Sequence, residues 1–584
     1  MSIVRFVLFV SAAIAAAQTP QDDKRLLFST YLGGNRTEDA AAVAVDSAGH
    51  TYVAGKTDSG DFSGKGFGSI NLNFAVSKAF LTKYSPDGKQ IVWSHIIGGS
   101  SNTRANAVAV DCQDNVYLAG TTGARDFPLL NAVQDKQTGL NIAFLMKFDA
   151  TGKLLFSTYL GGTRNEEGLA VAVDSQNSIY LAGRASSSDF PVKNAFQPTQ
   201  AGGGQDAFVA KFTSDYQLAW ASYIGGTAGT DNIYAIAVGP DDSLFVTGES
   251  MSPGLATEGA WIRQPISYSS FVAKLSPEGT GVQWLSYVGH RSGYTKSEAI
   301  TVDAQGRVWL GGTTNAKTWP MSENAIQPQY AGGHRDGFVV RLSADGSTAE
   351  YATYLGGKTT GSADPDDTVS GLKVDGRGHL YVTGETVSAD FLTSRPVQPN
   401  AAGATESYLI KLDADNKQIL FSTFWGGSKR DATTALALGP DESVTLVGET
   451  SSDNLPLQNA FRKQMAASTD AFVTRLCDPW PAASVTGLQF VYTRGSATLP
   501  DPQMIEVTTG CPAAFDVEEI TADQPWLRLR PDGQKTNLKL TVELTSGDLP
   551  AGEYKAELRL KVPAAFYPEV KVPVTLTVVE PPVE

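Results

Sequence analysis

The hydrophobic pattern of the chain consists of short apolar runs separated by Gly, Asp, Asn and Ser, and runs with the 3.6-residue period of a helix are scarce. Such a pattern is typical of buried β-strands joined by tight turns. One apolar run recurs seven times, and its copies are LLFSTYLGG from Leu26, IVWSHIIGG from Ile91, LLFSTYLGG from Leu154, LAWASYIGG from Leu218, VQWLSYVGH from Val282, AEYATYLGG from Ala349 and ILFSTFWGG from Ile419. The chain is therefore predicted to be all-β and to repeat one structural unit seven times.

Three further segments recur at a fixed distance from this run, so each unit has four predicted strands, which we call A to D. Strand A reads like AVAVD, strand B contains an invariant Gly, and strand C carries Phe or Tyr followed three residues later by Lys or Arg. Strand D is the run described above. The A–B and C–D turns are short and rich in Asp and Gly, as in hairpins. This organisation predicts a seven-bladed β-propeller with four-stranded antiparallel blades.

The alternative to a closed ring is an open solenoid of the same units. The chain begins with a D strand, Leu26 to Leu32, whereas its repeats end on a C strand, Ala471 to Leu476. We expect these two strands to pair, because the last unit would otherwise lack its fourth strand. This expectation favours a propeller whose ring is closed by the N-terminal strand.

The connections between strands B and C carry a second motif, Asp-Phe-Pro followed by Asn-Ala-x-Gln. It is complete after Asp126-Phe127-Pro128 and after Asp189-Phe190-Pro191, and it decays in later units. With this motif the repeat resembles the bacterial β-propeller repeat family abbreviated SBBP, over about residues 26–477. The resemblance implies export and an interaction role, and it brings no shared catalytic residues.

The repeat stops at Asp478, where a Pro-rich segment predicts a linker. About seven runs of alternating apolar and polar residues follow, a pattern that predicts an immunoglobulin-like β-sandwich. Trp526-Leu527 and the segment 549–554 resemble the BACON family of bacterial surface proteins, which implies carbohydrate or mucin binding. The predicted boundaries are a signal peptide at 1–17, the propeller at 18–477 and the immunoglobulin-like domain at 478–584.

The first residues have the three parts of a secretory signal peptide: Arg5, the apolar stretch from Phe6 to Ile14, and the small residues Ala15 to Ala17. Cleavage near Ala17 predicts a mature protein that is secreted, periplasmic or held at the cell surface, without membrane insertion. The formal net charge of −15 disfavours binding to nucleic acid and to anionic lipid. We expect a monomer in solution.

The chain has three cysteines, and their spacing does not suggest a zinc site. Cys112 is expected to pack as a small buried residue of a strand. Cys477 and Cys511 flank the start of the last domain, and a disulfide and two free thiols both remain open for this pair.

Strand C carries a basic residue in every unit, at Lys83, Lys147, Lys211, Lys274, Arg341, Lys411 and Arg475. These side chains are predicted on the same rim as the Asp residues that end most A strands. They form either an anion-binding ring or a set of ion pairs between neighbouring blades. We favour the ion pairs, because a feature repeated in every blade usually serves the blade.

Catalysis would require convergent His, Ser, Cys or carboxylate side chains. His290 and His334 are predicted in loops at one end of the fifth blade, near Glu298 and Asp336. A hydrolase or lyase site there is the alternative to surface variation without function. The sequence has no HExxH motif, no nucleophile elbow and no EF-hand spacing. We therefore expect a protein that is not an enzyme, with no catalytic residue, metal ligand or cofactor.

Strand direction places the short A–B and C–D turns at one end of the ring and the longer B–C and D–A connections at the other. The long connections, such as 57–77 and 184–205, carry most of the variation between units. Long loops on a rigid scaffold are where recognition usually resides. We therefore predict non-catalytic binding of a glycan or a protein at the cell exterior through this end. The candidate binding residues are Arg36, Arg164, His290, Arg291, Trp319, Tyr330, His334 and Arg335.

Overall fold

The computed structural model describes residues 20, 23–62, 65–67, 76–264, 269–290, 293–358, 366–415, 417–477, 479–545, 548–563, 565 and 568–582. The signal peptide predicted at 1–17 lies outside these residues. The regular structure that they form is β-sheet. A helix long and apolar enough to cross a membrane does not occur in these ranges.

The strands follow the repeat unit by unit. The first are β1 (Leu26–Leu32), β2 (Glu38–Val45), β3 (Thr51–Thr57), β4 (Lys65–Phe67), β5 (Lys78–Tyr84) and β6 (Ile91–Ile97). The second and third units hold β7 (Thr103–Val110), β8 (Val116–Thr122), β9 (Ile142–Phe148), β10 (Leu154–Leu160), β11 (Glu166–Val173), β12 (Ile179–Ala185), β13 (Asp206–Phe212) and β14 (Leu218–Ile224). The fourth and fifth hold β15 (Asp231–Val238), β16 (Leu244–Ser250), β17 (Ser269–Leu275), β18 (Val282–Val288), β19 (Thr295–Val302), β20 (Val308–Thr314), β21 (Asp336–Leu342) and β22 (Ala349–Leu355). The last two hold β23 (Gly371–Val374), β24 (Leu380–Thr386), β25 (Glu406–Asp413), β26 (Gln418–Trp425), β27 (Asp431–Leu438), β28 (Val444–Thr450) and β29 (Asp470–Leu476).

These strands form seven antiparallel sheets, each built from four strands, and the first sheet also takes in β4, which runs parallel to β6. Apart from the added β4, six sheets follow chain order, and the seventh has the order β1-β29-β28-β27. Its outer strand is β1, whose Leu32 lies opposite Ala471 of β29 and whose Leu26 lies opposite Leu476. The predicted pairing of the N-terminal strand with the last repeat is confirmed.

The first strand of each sheet contacts the first strands of the two neighbouring sheets, and β2 contacts β27, so these seven inner strands form a closed cycle. The inner strands are β2, β7, β11, β15, β19, β23 and β27. Hydrophobic clusters fill the spaces between neighbouring sheets, as where Tyr117 and Leu145 of the second sheet pack with Leu181 and Phe208 of the third. The arrangement is propeller-like, with apolar side chains buried on both faces of each sheet.

Buried carboxyl groups lie where neighbouring sheets meet. Asp336 of β21 and Asp367 flank Gly356, and Glu406 of β25 and Asp431 of β27 flank Gly426 in the same way. All four side chains are almost fully buried. Burial, with a smaller contribution from the neighbouring carboxylate, raises the pKa of Asp336 to about 7 and that of Glu406 to about 7.

We expect these groups to make the protein less stable as the pH rises from about 4 to about 8. Unfolded Asp and Glu titrate near pH 4, so over this range the folded state binds more protons than the unfolded state and stability falls with pH. The melting temperature should be higher at pH 5 than at pH 8. The double variant Asp336→Asn, Glu406→Gln should flatten this dependence, and an unchanged slope would contradict the assignment.

The C-terminal residues form two further four-stranded sheets. Their strands are β30 (Pro481–Ala483), β31 (Leu488–Thr493), β32 (Gln503–Thr509), β33 (Glu519–Ala522), β34 (Leu527–Pro531), β35 (Leu538–Leu544), β36 (Gly552–Lys561) and β37 (Glu569–Val579). The sheet orders are β30-β32-β35-β34 and β31-β37-β36-β33. Buried and exposed residues alternate along β37, and the buried faces of both sheets share one hydrophobic cluster that includes Leu540 and Leu558.

The cysteines differ in part from what the sequence suggested. Cys477, just after β29, forms a disulfide with Cys511, and the two Cα atoms are 5.5 Å apart. The bond links the end of the ring to the C-terminal sheets. Cys112 is exposed rather than buried, because β7 ends at Val110 and Cys112 belongs to the following turn.

The basic residue of the third strand has a carboxylate partner in every sheet, but the partner usually belongs to the same sheet. Six pairs are Lys83–Asp46, Lys147–Asp111, Lys211–Asp174, Lys274–Asp241, Lys411–Asp375 and Arg475–Asp441. Arg341 contacts Glu350 of its own sheet and also Asp415 of the next. The expectation of ion pairs between blades is thus wrong for six of the seven, because an Asp at the end of the first strand or in the turn after it lies within reach of the third strand.

Candidate functional site

A cavity of about 710 Å³ opens at the end of the ring where the inner strands begin, and residues from all seven sheets line it. We call this cavity the mouth. Its charged and aromatic lining residues are Asp39, Lys56, Arg104, Glu167, Tyr234, Glu298, Glu385, Arg430 and Glu449. The volume lies in the range of ordinary ligand sites, which is about 300–1,000 Å³.

A β-bulge near the start of the inner strand shapes the mouth. In the third sheet the register between β11 and β12 shifts between Gly168 and Ala170, and five other sheets have a shift at the equivalent place. Gly183 of β12 lies opposite this bulge, and a Cβ there would be 1.9 Å from the carbonyl oxygen of Glu167. The invariant glycine of the second strand is therefore required by the close approach of the inner strand.

Charges of both signs lie around the mouth, and the two arginines there are paired with carboxylates. Arg104 of β7 contacts Asp39 of the neighbouring β2 at 3.4 Å. Arg430 contacts Glu385 of the neighbouring sheet at 2.9 Å and also bonds Glu449 of its own sheet. Burial raises the pKa of Glu385, although Arg430 opposes this effect. Partly exposed pairs of this kind contribute little to stability, so a ligand can replace one partner at small cost.

The polar contacts continue on the side of the mouth that the fourth and fifth sheets form. Glu249 accepts hydrogen bonds from the Tyr234 hydroxyl at 2.6 Å and from the Asn232 amide at 2.8 Å. Lys296 donates to Glu298 at 2.6 Å and lies 4.6 Å from the centre of the Tyr234 ring. The mouth thus offers carboxylates, cations and one aromatic ring in a single concave surface.

The predicted residues Arg36 and Arg164 are exposed at the same end of the ring. They occupy equivalent positions in two connections, where their backbone amides donate to the hydroxyls of Ser59 and Ser187 at 2.8 and 2.7 Å. Their backbone is therefore fixed and their side chains reach solvent beside the mouth.

Trp319 is placed differently from what we expected, because its side chain is only 6% exposed. Its ring packs against Phe338 with the ring centres 4.4 Å apart, and its backbone amide donates to the Tyr354 hydroxyl. Phe127 and Phe190 fill the equivalent slots in the second and third sheets. Trp319 anchors its loop and does not present its ring to a ligand.

The remaining candidates are His290, Tyr330, His334 and Arg335, which lie in the connections of the fifth sheet. Arg291 is outside the described residues. His290 contacts the Thr318 hydroxyl at 3.2 Å, whereas His334 contacts Asp366 at 3.0 Å. The two histidines thus have different partners, and no group of three metal-ligating side chains forms in the described ranges.

Tyr330 and Arg335 are partly buried beside these histidines. The Tyr330 ring stands perpendicular to Tyr354 at 5.7 Å, and burial raises the pKa of Tyr330 well above its usual value. Arg335 lies over the ring of Tyr294 and contacts Asp366 at 3.5 Å. Both side chains therefore help to hold their loops.

The charged residues of the mouth were missed in the sequence, although a signal for them is present. The residue after the invariant glycine of the second strand is Lys56, Thr121, Arg184, Glu249, Thr313, Glu385 and Glu449 in the seven units. The charge at this position varies from unit to unit, whereas the residues directly before and after it in the strand hardly change. Variation inside a constant strand indicates a surface that the repeat itself does not require.

The opposite end of the ring carries the C-terminal sheets. Trp480, just after the last repeat, stacks on His379 with the ring centres 5.5 Å apart and lies 4.1 Å from the guanidinium carbon of Arg377. Lys24 donates to the backbone of Ala514 at 3.1 Å. The described C-terminal residues thus pack at the short-turn end, and none of them lines the mouth.

Comparison with known families gives matches in two parts of the chain. Residues 27–63 and 92–128 match the family abbreviated SBBP, which is described as a β-propeller repeat. The resemblance seen in the sequence is thereby confirmed over these two segments.

Two curated relatives cover part of the chain. Regulatory protein FlaEY of Caulobacter vibrioides is 28% identical over 359 residues, which are 57% of this chain and 34% of that protein. An uncharacterized WD repeat-containing protein, L264, of Acanthamoeba polyphaga mimivirus is 26% identical over 207 residues, which are 31% of this chain and 15% of that protein. The chain thus spans about a third or less of the length of these relatives.

Two solved structures are among those that this chain partly resembles. One is the extracellular domain of a hybrid two-component system of B. thetaiotaomicron, with a TM-score of 0.32, 9% identity, and coverage of 93% of this chain and 56% of that one. The other is quinohemoprotein alcohol dehydrogenase of Comamonas testosteroni, with a TM-score of 0.34, 10% identity, and coverage of 77% and 76%. At these TM-scores neither structure informs the function of this chain.

Proposed function

We propose that this chain is an exported, non-catalytic binding protein that holds a charged segment of another protein in the mouth of its ring. In this proposal the ring is a seven-bladed β-propeller and the C-terminal sheets are an immunoglobulin-like domain of the BACON type. The observation that carries the proposal is the mouth itself, a cavity of about 710 Å³ whose described lining includes five carboxylates and three basic side chains.

A protein ligand fits this lining better than a neutral glycan. A polypeptide segment with charges of both signs can exchange partners with Arg104, Asp39, Arg430 and Glu385, whereas neutral sugars offer no charge to replace them. Electrostatic complementarity of this kind gives specificity and speeds association. Tyr234 is the one aromatic residue in the described lining, which leaves little surface for stacking sugar rings.

Two further points support binding over catalysis. The printed name of the relative FlaEY is that of a regulatory protein, which is compatible with a binding role for the shared repeats. The hydrolase or lyase alternative needs His290 and His334 to act together, and the two contact different partners, Thr318 and Asp366.

Selection of peptides from a phage-displayed library against the mature protein tests this proposal. For the selected peptides, we expect Arg104→Glu and Glu298→Lys each to weaken binding at least about tenfold, which corresponds to about 1.4 kcal/mol. The melting temperature should stay nearly unchanged, because the Arg104 side chain is 52% exposed and such pairs contribute little to stability.

Arg528→Glu is the matched control, since Arg528 pairs with Glu543 on an exposed face of the C-terminal sheets. It should leave peptide binding unchanged. Selected peptides that bind both mouth variants as well as they bind the parent would contradict a protein ligand in the mouth. So would a peptide library that yields no binders together with a glycan array that yields binding lost in the mouth variants.

A further inference from the structure

The first glycine after each strand D lies where two neighbouring sheets meet, and two side chains flank it. One is the first residue of strand C in the same sheet, and the other lies at or just before the start of strand A in the next sheet. In four of the seven places both are acids, in the pairs Asp470–Glu38, Asp206–Asp231, Asp336–Asp367 and Glu406–Asp431. In the other three places the pairs are Lys78–Thr103, Ile142–Glu166 and Ser269–Thr295. The repeat therefore forms without two acids at this place, so the fold itself does not require the four acid pairs.

One acid pair has a positive charge of its own. The Arg462 guanidinium donates to the carbonyl of Gly33, the glycine that lies between Asp470 and Glu38. Burial raises the pKa of Asp470, and the charge of Arg462 opposes this effect. Both oxygens of Asp470 also accept hydrogen bonds from backbone amides of the preceding loop. The protein itself thus satisfies this pair.

The other three acid pairs have a neutral residue where this pair has Arg462. The equivalent residues are Gln197, Gln327 and Gln398. Each of these glutamines accepts, through its side-chain oxygen, a hydrogen bond from the amide of the glycine between the two acids, at 3.1 to 3.2 Å. Among the described residues, no Lys or Arg forms an ion pair with an acid of these three pairs.

Each of these three pairs also has a buried carboxyl oxygen without a hydrogen-bond partner among the described residues. These atoms are Asp206 Oδ1, Asp336 Oδ1 and Glu406 Oε2, and their residues are at most 1% exposed. Asp336 Oδ1 and Asp367 Oδ2 lie 2.7 and 3.0 Å from one point, the place where a Cβ on Gly356 would stand. An unpaired buried carboxylate oxygen is costly, so a positively charged group beside it would stabilise the fold.

The first sheet shows how a positive charge is received at this place of the repeat. There Lys78 replaces the acid of strand C, and its ammonium group donates to the carbonyl of Gly99. A cation at this position therefore meets a backbone oxygen as well as the side chains that flank the glycine.

We propose that the pairs Asp206–Asp231, Asp336–Asp367 and Glu406–Asp431 each bind one calcium ion. Two carboxylates balance the charge of one divalent cation, and the oxygen of the neighbouring glutamine is a further ligand of the kind that calcium prefers. Calcium accepts irregular sets of oxygen ligands, whereas magnesium requires near-octahedral geometry and retains water. These almost fully buried sites therefore suit calcium better than magnesium.

The calcium sites lie between the sheets, and none of their acids lines the mouth. The proposal therefore does not rest on the function proposed for the mouth. The fall of stability with pH expected above applies to the protein free of calcium. No spacing motif indicates these sites in the sequence, because each pair joins residues of two different units.

Calcium binding and thermal unfolding of the mature protein test this proposal. Equilibrium dialysis against about 1 mM CaCl2, in NaCl near physiological ionic strength, should give about three bound calcium ions per chain. The melting temperature should be about 3 °C or more higher in this buffer than in the same NaCl with EDTA, because calcium binds the folded state.

Two variants exchange the residue that distinguishes the pairs. Arg462→Gln gives the pair Asp470–Glu38 the neutral residue of the other three, so it should bind one more calcium ion than the parent. Gln327→Arg gives the pair Asp336–Asp367 a positive charge from the protein, so it should bind one fewer. Asp336→Asn removes a ligand from the same pair and should also bind one fewer.

Glu166→Gln is the matched control, because Glu166 is equally buried at the same place but faces Ile142 instead of a second acid. It should change neither the calcium content nor the effect of calcium on the melting temperature. The proposal is overturned if calcium leaves the melting temperature of the parent unchanged, as expected if the two acids of each pair share a proton. It is also overturned if all four variants bind as much calcium as the parent, which would indicate diffuse binding to the acidic surface.

Discussion

A chain that lacks residues 18–34 should lose most of the stability of the ring and should aggregate. The deletion removes β1, in which Leu26, Phe28, Tyr31 and Leu32 are buried. Full burial of such side chains contributes about 1.5–3 kcal/mol each, or on the order of 8 kcal/mol together. This is comparable with the whole free energy of unfolding of an ordinary domain, about 5–15 kcal/mol. In addition, β29 would become an exposed hydrophobic edge, which promotes association.

Thermal unfolding and size-exclusion chromatography measure this effect. The control is a chain that ends at residue 477 with Cys477→Ser, because it removes the C-terminal sheets and leaves all seven sheets of the ring complete. The control should remain a soluble monomer with a melting temperature close to that of the parent ring. A β1-deleted protein that melts like the parent and stays monomeric would show that the ring does not depend on this strand.

We expect Gly183→Ala to cause a large loss of stability. The new Cβ would lie 1.9 Å from the carbonyl oxygen of Glu167, an atom of the opposing backbone that no side-chain rotation can move away. Relief requires a shift of β11 against β12, and overpacking of this kind costs about 3 kcal/mol. The same shift would displace Glu167 at the mouth, so peptide binding should weaken as well.

Gly376→Ala is the matched control for this substitution. Gly376 lies in the turn between β23 and β24, and no atom lies within 4 Å of a Cβ built on it. Chemical denaturation should therefore show a large loss of stability for Gly183→Ala and almost none for Gly376→Ala. Equal effects of the two substitutions would mean that the bulge opposite Gly183 is not a constraint.

The repeat made the ring predictable because each unit carries the same strand and turn signals. Seven copies of one pattern reinforce one another, and the unpaired ends at Leu26 and Leu476 indicate how the ring closes. The wrong predictions concern single residues whose burial depends on their own position and not on the repeat. Cys112 is two positions beyond the end of β7, in the turn that follows, and Trp319 fills a slot whose depth is set by Phe338 and Tyr354.

The mouth could not be predicted in the same way, because it exists only after the ring has closed. Arg104 and Asp39 meet across two sheets, and nothing in either segment alone indicates that they converge. The hydrophobic pattern also assigns the inner strands to the core, which hides the fact that their first residues line a cavity.

Hydrogen–deuterium exchange of the mature protein, with and without a peptide selected for binding, tests the central claim most directly. Our account predicts slower exchange at the starts of the inner strands β2, β7, β11 and β19 and in the connections around the mouth. Exchange in the turns at the opposite end and in residues 479–582 should not change. Protection confined to those turns or to the C-terminal sheets would contradict the assignment of the mouth as the binding site.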